Sequence, residues 1–260
     1  MRKTDTGTIL RGGCSMIFGK DFGLTEEGQL VFYQEDIYEP KPAVRRLIDA
    51  GEVLFQTVPL DDRPLYYMYR GVHWRQDREK FLQHDIRYDI TVILPGLIGQ
   101  EYIKTVGHFH PLKPQSSETY PEYYEVLSGE ALYLLQKNNR RGEVEEVLVV
   151  EAKKGDKVYI PPGYGHITIN PGNEPLVMAN LVEANFSSIY EPFAAKRGAA
   201  YYYIQNEKGQ GEFVKNPYYQ NSVALRMVAA PNLPQPTEAV KNASLYGAFI
   251  QQPEAFEFLK

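Results

Sequence analysis

A single cysteine, Cys14, stands among 260 residues. It excludes an intrachain disulfide and any thiolate cluster, and fits a reducing compartment. Basic blocks are absent too. The net charge is −5 with Lys and Arg dispersed, which argues against a nucleic-acid or membrane-surface partner while leaving room for a local anion pocket. No apolar span approaches twenty residues, and Met1-Arg2-Lys3-Thr4-Asp5-Thr6-Gly7 has no apolar run behind its charges. Neither a transmembrane helix nor an export signal is expected, so the expected location is the cytoplasm. There is no longer internal repeat and no low-complexity tract. Histidine is scarce: of five, His73 and His84 stand alone, whereas His108, His110 and His166 fall within one stretch.

That stretch, Thr105 to Asn170, organises the chain. His108 and His110 are two apart, so on a strand they point the same way and can grip one ion together. Glu122 opens Glu122-Tyr123-Tyr124-Glu125-Val126-Leu127, where alternation puts Glu122, Tyr124 and Val126 on one face. Glu118, in a proline-bounded loop, and Glu125, on the opposite face, are the weaker carboxylates. Pro161-Pro162-Gly163-Tyr164-Gly165 is turn chemistry, so His166 is expected to begin a strand folded back beside its predecessor. Three imidazoles and one carboxylate, with no thiolate, suit iron(II), manganese, nickel or zinc, and four protein ligands on a six-coordinate ion leave two positions open. Open positions point to catalysis rather than to a structural ion.

Around this stretch the pattern is mostly β. Residues 1–40 hold short apolar runs such as Gln29-Leu30-Val31-Phe32-Tyr33, expected as one or two strands extending the main sheet. Ala43 to Ile48 places Val44, Leu47 and Ile48 at helical spacing, which predicts a short amphipathic helix. Pro64 to Arg70 and Asp77 to Leu82 read equally as strand or helix. Ile86 to Leu94 and Tyr102 to His110 are expected as antiparallel neighbours, followed by short strands over 131–136, 145–151, 157–160, 166–169 and 176–182. Short strands at regular spacing indicate a closed or double-sheet jelly-roll. Past Tyr203 the chain loosens, Asn206-Glu207-Lys208-Gly209 reads as a turn, and Pro231 to Pro236 as a rigid linker. The final segment carries Leu245, Tyr246, Phe249, Phe256, Phe258 and Leu259, enough to dock one or two short helices on the barrel or to meet a second subunit.

The motif residues are similar to the cupin superfamily. Glu122-x6-Gly129 fits the second half of its first motif, and Gly155-x5-Pro161-x4-His166-x3-Asn170 reproduces its second at every fixed position. The first motif departs in two ways: no glycine lies six residues before His108, and eleven residues separate His110 from Glu122 where most cupins have a few. More narrowly, Asp89-Ile90-Thr91, Thr105-x-Gly107-His108-Phe109-His110, Glu122-x-Tyr124 and Pro161 to Asn170 resemble the cupin-type phosphoglucose isomerases over roughly residues 60 to 205.

The resemblance implies an all-β cupin fold, the double-stranded β-helix or jelly-roll barrel, with short flanking helices. One domain over 1–260 is expected, with a barrel core at 60–205, an N-terminal extension at 1–59 and a C-terminal extension at 206–260. It further implies a homodimer that interconverts glucose 6-phosphate and fructose 6-phosphate with a divalent metal, often iron(II), on His108, His110, Glu122 and His166. Thr91, Thr105, Gly107 and Tyr124 match positions that bind substrate phosphate, and hydroxyls and a glycine amide donate well to a dianion. Strict alternation puts Thr105 opposite His108, so both reach one pocket only through a bulge at Gly107 or a contact at the strand end. Some family members carry a tyrosine and a histidine near the substrate where this chain has Val182 and Ser188; Tyr190 matches a following tyrosine. Glu122 is the motif carboxylate placed to shuttle a proton, and a metal-assisted hydride shift is the other route. A cupin dioxygenase and a non-catalytic sugar-phosphate binder are the competing functions.

Overall fold

The computed structural model describes residues 16–17, 20–220 and 223–260; Cys14 lies outside them. Ten strands build two facing sheets. In chain order they are β1 (Ala43–Arg46), β2 (Pro64–Arg70), β3 (Ile86–Ile93), β4 (Glu122–Ser128), β5 (Glu130–Asn138), β6 (Val144–Lys153), β7 (Lys157–Ile160), β8 (Tyr164–Ile169), β9 (Leu176–Glu183) and β10 (Leu225–Ala229). One sheet runs β7-β4-β9-β3-β2-β1, and the other runs β8-β5-β6-β10. All neighbours are antiparallel except β10, which joins β6 in parallel.

Why the strands read as near-continuous apolar runs follows from what covers them. The inner face of the larger sheet, with Tyr66, Ile93, Tyr124, Val126 and Met178, meets Tyr133 and Leu135 of the smaller one. Its outer face, with Tyr69, Tyr88, Ile90, Tyr123 and Leu181, is sealed by Leu245, Tyr246, Phe249, Phe256 and Leu259. A strand buried on both faces needs apolar residues at every position, and β9 is buried throughout. The C-terminal segment thus docks on the barrel, as the helix Leu245–Gln251 and the 3-10 turn Pro253–Leu259. Ser244 caps the helix by accepting from the Gly247 amide. The outer face of the smaller sheet packs Leu132, Leu134, Val147 and Ile167 against Phe193 and Tyr201.

Four expectations are corrected. Ala43 to Ile48 is not a helix: Ala43–Arg46 is a strand paired with β2, and the helix begins only at Leu47. Helical spacing matched Val44, Leu47 and Ile48 by chance, since Ile48 is 54% exposed. Tyr102 to His110 is not a strand beside β3, because both edges of β3 are taken by β2 and β9. Only Glu101–Tyr102 is extended, pairing with Tyr201–Gln205, and the remainder touches β8 through the isolated bridges Lys104 to Ile169 and His108 to His166. The turn at Pro161 does not fold β8 beside β7; it carries the chain from one sheet to the other, where β8 pairs with β5. Finally, Leu30–Phe32 forms a separate three-stranded sheet with Lys20–Leu24 and Met16–Ile17 instead of extending the main one. The Leu30 amide donates to the Tyr69 hydroxyl at 2.9 Å, which pins that sheet to the outer face of the barrel. The barrel sheets also draw in β1 and β10 from outside the expected 60–205 core. Pro64–Arg70 is a strand and Arg78–Gln83 a helix.

Candidate active site and metal centre

A cavity of about 360 Å³ opens between the two sheets, lined by all of the candidate ligands and substrate contacts: Thr91, Thr105, Gly107, His108, His110, Glu122, Tyr124, His166 and Tyr190. They arrive by different routes. Thr91 comes from the middle of β3, opposite Met68 and Met178, while Glu122 and Tyr124 come from β4 and His166 from β8. His108 and His110 sit on the irregular segment before β4.

Gly107 brings Thr105 and His108 to the same cavity. The Thr105 amide donates to the Thr168 carbonyl at 2.8 Å, and the Thr168 amide donates to Thr105 Oγ1 at 3.0 Å. His108 and His166 exchange backbone hydrogen bonds at 3.2 and 3.0 Å. Three steps along one segment therefore face two along β8, which is a bulge with one extra residue. Gly107 carries it at φ +79°, where a Cβ would stand 2.3 Å from Ile167 Cγ1. Gly107→Ala is expected to destabilise the protein by about 1–3 kcal/mol, the cost of a left-handed backbone plus a clash. Urea unfolding that leaves stability unchanged would show that the segment relaxes freely.

The four candidate ligand atoms lie within 4.8 Å of one another. His108 Nε2 faces His110 Nε2 at 3.1 Å, and Glu122 Oε2 stands 3.3 Å from His110 Nε2 and 3.1 Å from His166 Nε2. Although those distances are short, Glu122 Oε2 makes no directed hydrogen bond and is buried. Lone pairs that converge on a shared centre rather than on each other fit a cation. His110 Nδ1 lies 2.8 Å from the Tyr120 carbonyl; donating its proton there leaves Nε2 as the free lone pair, as a metal-ligating histidine requires. Protonation states agree with this. Burial, reinforced by His166 and His110, holds His108 well below the usual imidazole range. Burial likewise lowers His166 against the pull of Glu122. Burial acts to raise Glu122, yet His110 and His166 outweigh it and keep its carboxyl well below the usual range. Neutral imidazoles and an ionised carboxylate are the forms that bind a metal.

Tyr124 places its hydroxyl 3.3 Å from His166 Nε2. Tyr190, 36% exposed, lines the cavity with its ring centroid 5.7 Å from that of His108 and 5.8 Å from the Arg45 guanidinium carbon. Val182 and Ser188 also line the cavity. His73 and His84 are elsewhere, the first beside the Gly71 carbonyl and the second paired with Glu257. Glu125 points outward to the Leu245 amide and Lys157. Sequence reasoning gave no role at the site to Arg87, Asp89 or Asn180, all of which line the same cavity. The signal was present for two of them, since Arg87 and Asp89 precede Thr91 at strand period and so share its face.

Two facing sheets enclosing a three-histidine, one-carboxylate cluster define a cupin. A family model for glucose-6-phosphate isomerase matches residues 45–220. The curated glucose-6-phosphate isomerase of Pyrococcus horikoshii is 30% identical over 75% of this chain and 97% of its own length, and that of Pyrococcus furiosus is 29% identical over 74% and 96%. Among solved structures, oxalate decarboxylase of Bacillus subtilis is 19% identical with a TM-score of 0.34, covering 48% of this chain and 27% of that one, too slight a likeness to carry weight. The chain belongs to the glucose-6-phosphate isomerase family, and it is an enzyme, an aldose-ketose isomerase. No helix among the described residues is long and apolar enough to cross a membrane.

Proposed function

We propose that the cavity binds the open-chain form of glucose 6-phosphate or fructose 6-phosphate beside a divalent metal held by His108, His110, Glu122 and His166. The convergence of those four donor atoms within 4.8 Å carries this reading. Iron(II) is the favoured ion, with manganese, nickel and zinc compatible with the same donors. When bound, the ion would polarise the substrate carbonyl and offset the negative charge that develops on the adjacent oxygens. Glu122 is the base: its carboxylate takes the proton from C2 of the aldose and returns it to C1, while the hydroxyl proton of O2 passes to O1, so that C2 becomes the ketone carbon and C1 the alcohol carbon. The Tyr124 hydroxyl beside His166 keeps that end of the cavity polar.

Phosphate is assigned to the Thr91, Thr105 and Gly107 side, with Tyr124 and Tyr190 completing it. Thr91 supports this because it is 8% exposed and lines the cavity, within reach of a ligand there. Thr105 Oγ1 accepts from the Thr168 amide, so its own proton remains to donate. Thr105→Val is expected to raise KM for the sugar phosphate about 10-fold with metal content unchanged, the scale of one charge-assisted hydrogen bond. An unaltered KM would return Thr105 to a purely structural role. The overall reading is tested by following conversion of fructose 6-phosphate in a coupled dehydrogenase assay, with mannose 6-phosphate assayed beside it. Oxygen uptake would instead favour the dioxygenase, and binding without turnover the non-catalytic cupin. A cytoplasmic homodimer belongs to the same proposal, and light scattering at assay concentration tests the dimer.

A further inference from the structure

The wall of the cavity formed by β3 and β9 carries polar side chains that the metal cluster and the phosphate side do not use. Val182 and Ser188 line it with small side chains, beside the polar Arg87, Asp89 and Asn180. Val182 is registered directly across from Arg87, and Asn180 directly across from Asp89. Asn180 in turn faces Tyr124 on β4, so a polar row crosses the sheet one step from Glu122.

Arg87 is firmly held. Its Nε donates to both Asp89 oxygens at 2.8 and 3.0 Å, and its Nη1 donates to the Ala184 carbonyl at 3.1 Å. Asp89 also accepts from the Gly71 amide at 2.8 Å. Those bonds engage Nε and Nη1 and not Nη2, and Arg87 lines the cavity beside Val182. Asn180 is 4% exposed and lines the cavity. An amide that lines the cavity can both donate to and accept from a ligand there.

The charge balance says which part of the ligand this wall takes. Asp89 neutralises Arg87 at close range, so the pair offers directed N–H donors with little net charge. The Asn180 amide adds one acceptor and two donors. A dianionic phosphate gains little from such a wall, whereas a sugar hydroxyl, which both donates and accepts, matches it. We infer that Arg87 and Asn180 bind the C3 and C4 hydroxyls of the extended sugar phosphate, with Asp89 as the positioning residue that holds Arg87. The wall thereby sets specificity among sugar phosphates. This inference rests on the isomerase reading of the same cavity.

The test pairs variants of the metal-loaded enzyme with fructose 6-phosphate and its 3-deoxy and 4-deoxy analogues. For the wild type, removing at least one of the two hydroxyls is expected to lower kcat/KM about 10-fold. Asn180→Ala and Arg87→Met are each expected to lower kcat/KM for fructose 6-phosphate by a similar factor at unchanged metal content. At least one of them should then lose less than about 2-fold on the matching deoxy analogue, because the partner is already gone. Losses that multiply for both variants on both analogues would overturn the inference while leaving isomerase activity established. A wild-type enzyme inactive on fructose 6-phosphate would overturn the isomerase reading of the cavity and this wall with it. Arg87→Met strands Asp89 in a buried site, so if it fails to fold, Asn180→Ala, which leaves that ion pair intact, decides the outcome.

Discussion

Glu122→Gln is expected to reduce turnover per bound metal by on the order of 10²-fold or more, the scale of losing a positioned general base. Glutamine keeps the shape of the side chain and one carbonyl oxygen, but can neither carry charge nor accept a proton. In the wild type His110 and His166 hold Glu122 ionised against the cost of burial, so the base is ready without an external trigger. The isotope readout is independent of the rate. With C2-deuterated glucose 6-phosphate the wild type should release part of the label to solvent, because a proton carried by a carboxylate can exchange before it is returned. Complete retention of the label together with normal turnover per metal in Glu122→Gln would contradict the base assignment and favour a hydride shift from C2 to C1.

The second large effect concerns the histidines. Replacing His108, His110 or His166 with alanine should remove most of the bound metal and the activity, while the protein remains folded. Folding survives because the barrel stands on three apolar clusters that include none of these residues. Elemental analysis and a thermal melt on the same samples separate the two consequences. Full metal content in all three variants would contradict the ligand assignment, and unfolding in all three would show that the cluster carries stability as well.

How much of this was legible in the sequence depends on whether local spacing carries the information. The cluster was legible because each motif residue sits at a fixed offset from a turn or a strand end: Glu122 opens its strand, and His166 follows Pro161 at the spacing of the second motif. The conflict between Thr105 and His108 was legible too, since period-two alternation forbids one face for both, and the bulge at Gly107 resolves it as its positive φ allows. Pairing was less legible. Nothing local says that β3 finds β9 and β2 rather than the segment that follows it, nor that the turn at Pro161 changes sheets, because those choices are set by which edges remain free. At Ala43 to Arg46 the competing signals were local propensity and a free sheet edge, and the edge won. Arg87 and Asp89 share the face of Thr91 at strand period, but nothing local adds Asn180 to them; only the register of β3 against β9 makes the three a wall.

The central claim, that isomerisation proceeds at a metal bound by His108, His110, Glu122 and His166, is tested most directly by metal removal and return. Fructose 6-phosphate turnover is measured on the purified protein, after exhaustive chelation, and after iron(II), manganese, nickel or zinc is restored, with metal content determined each time. Activity should vanish with the metal and return in proportion to ions bound, up to one per chain. Full isomerase activity in protein shown to be metal-free would contradict it.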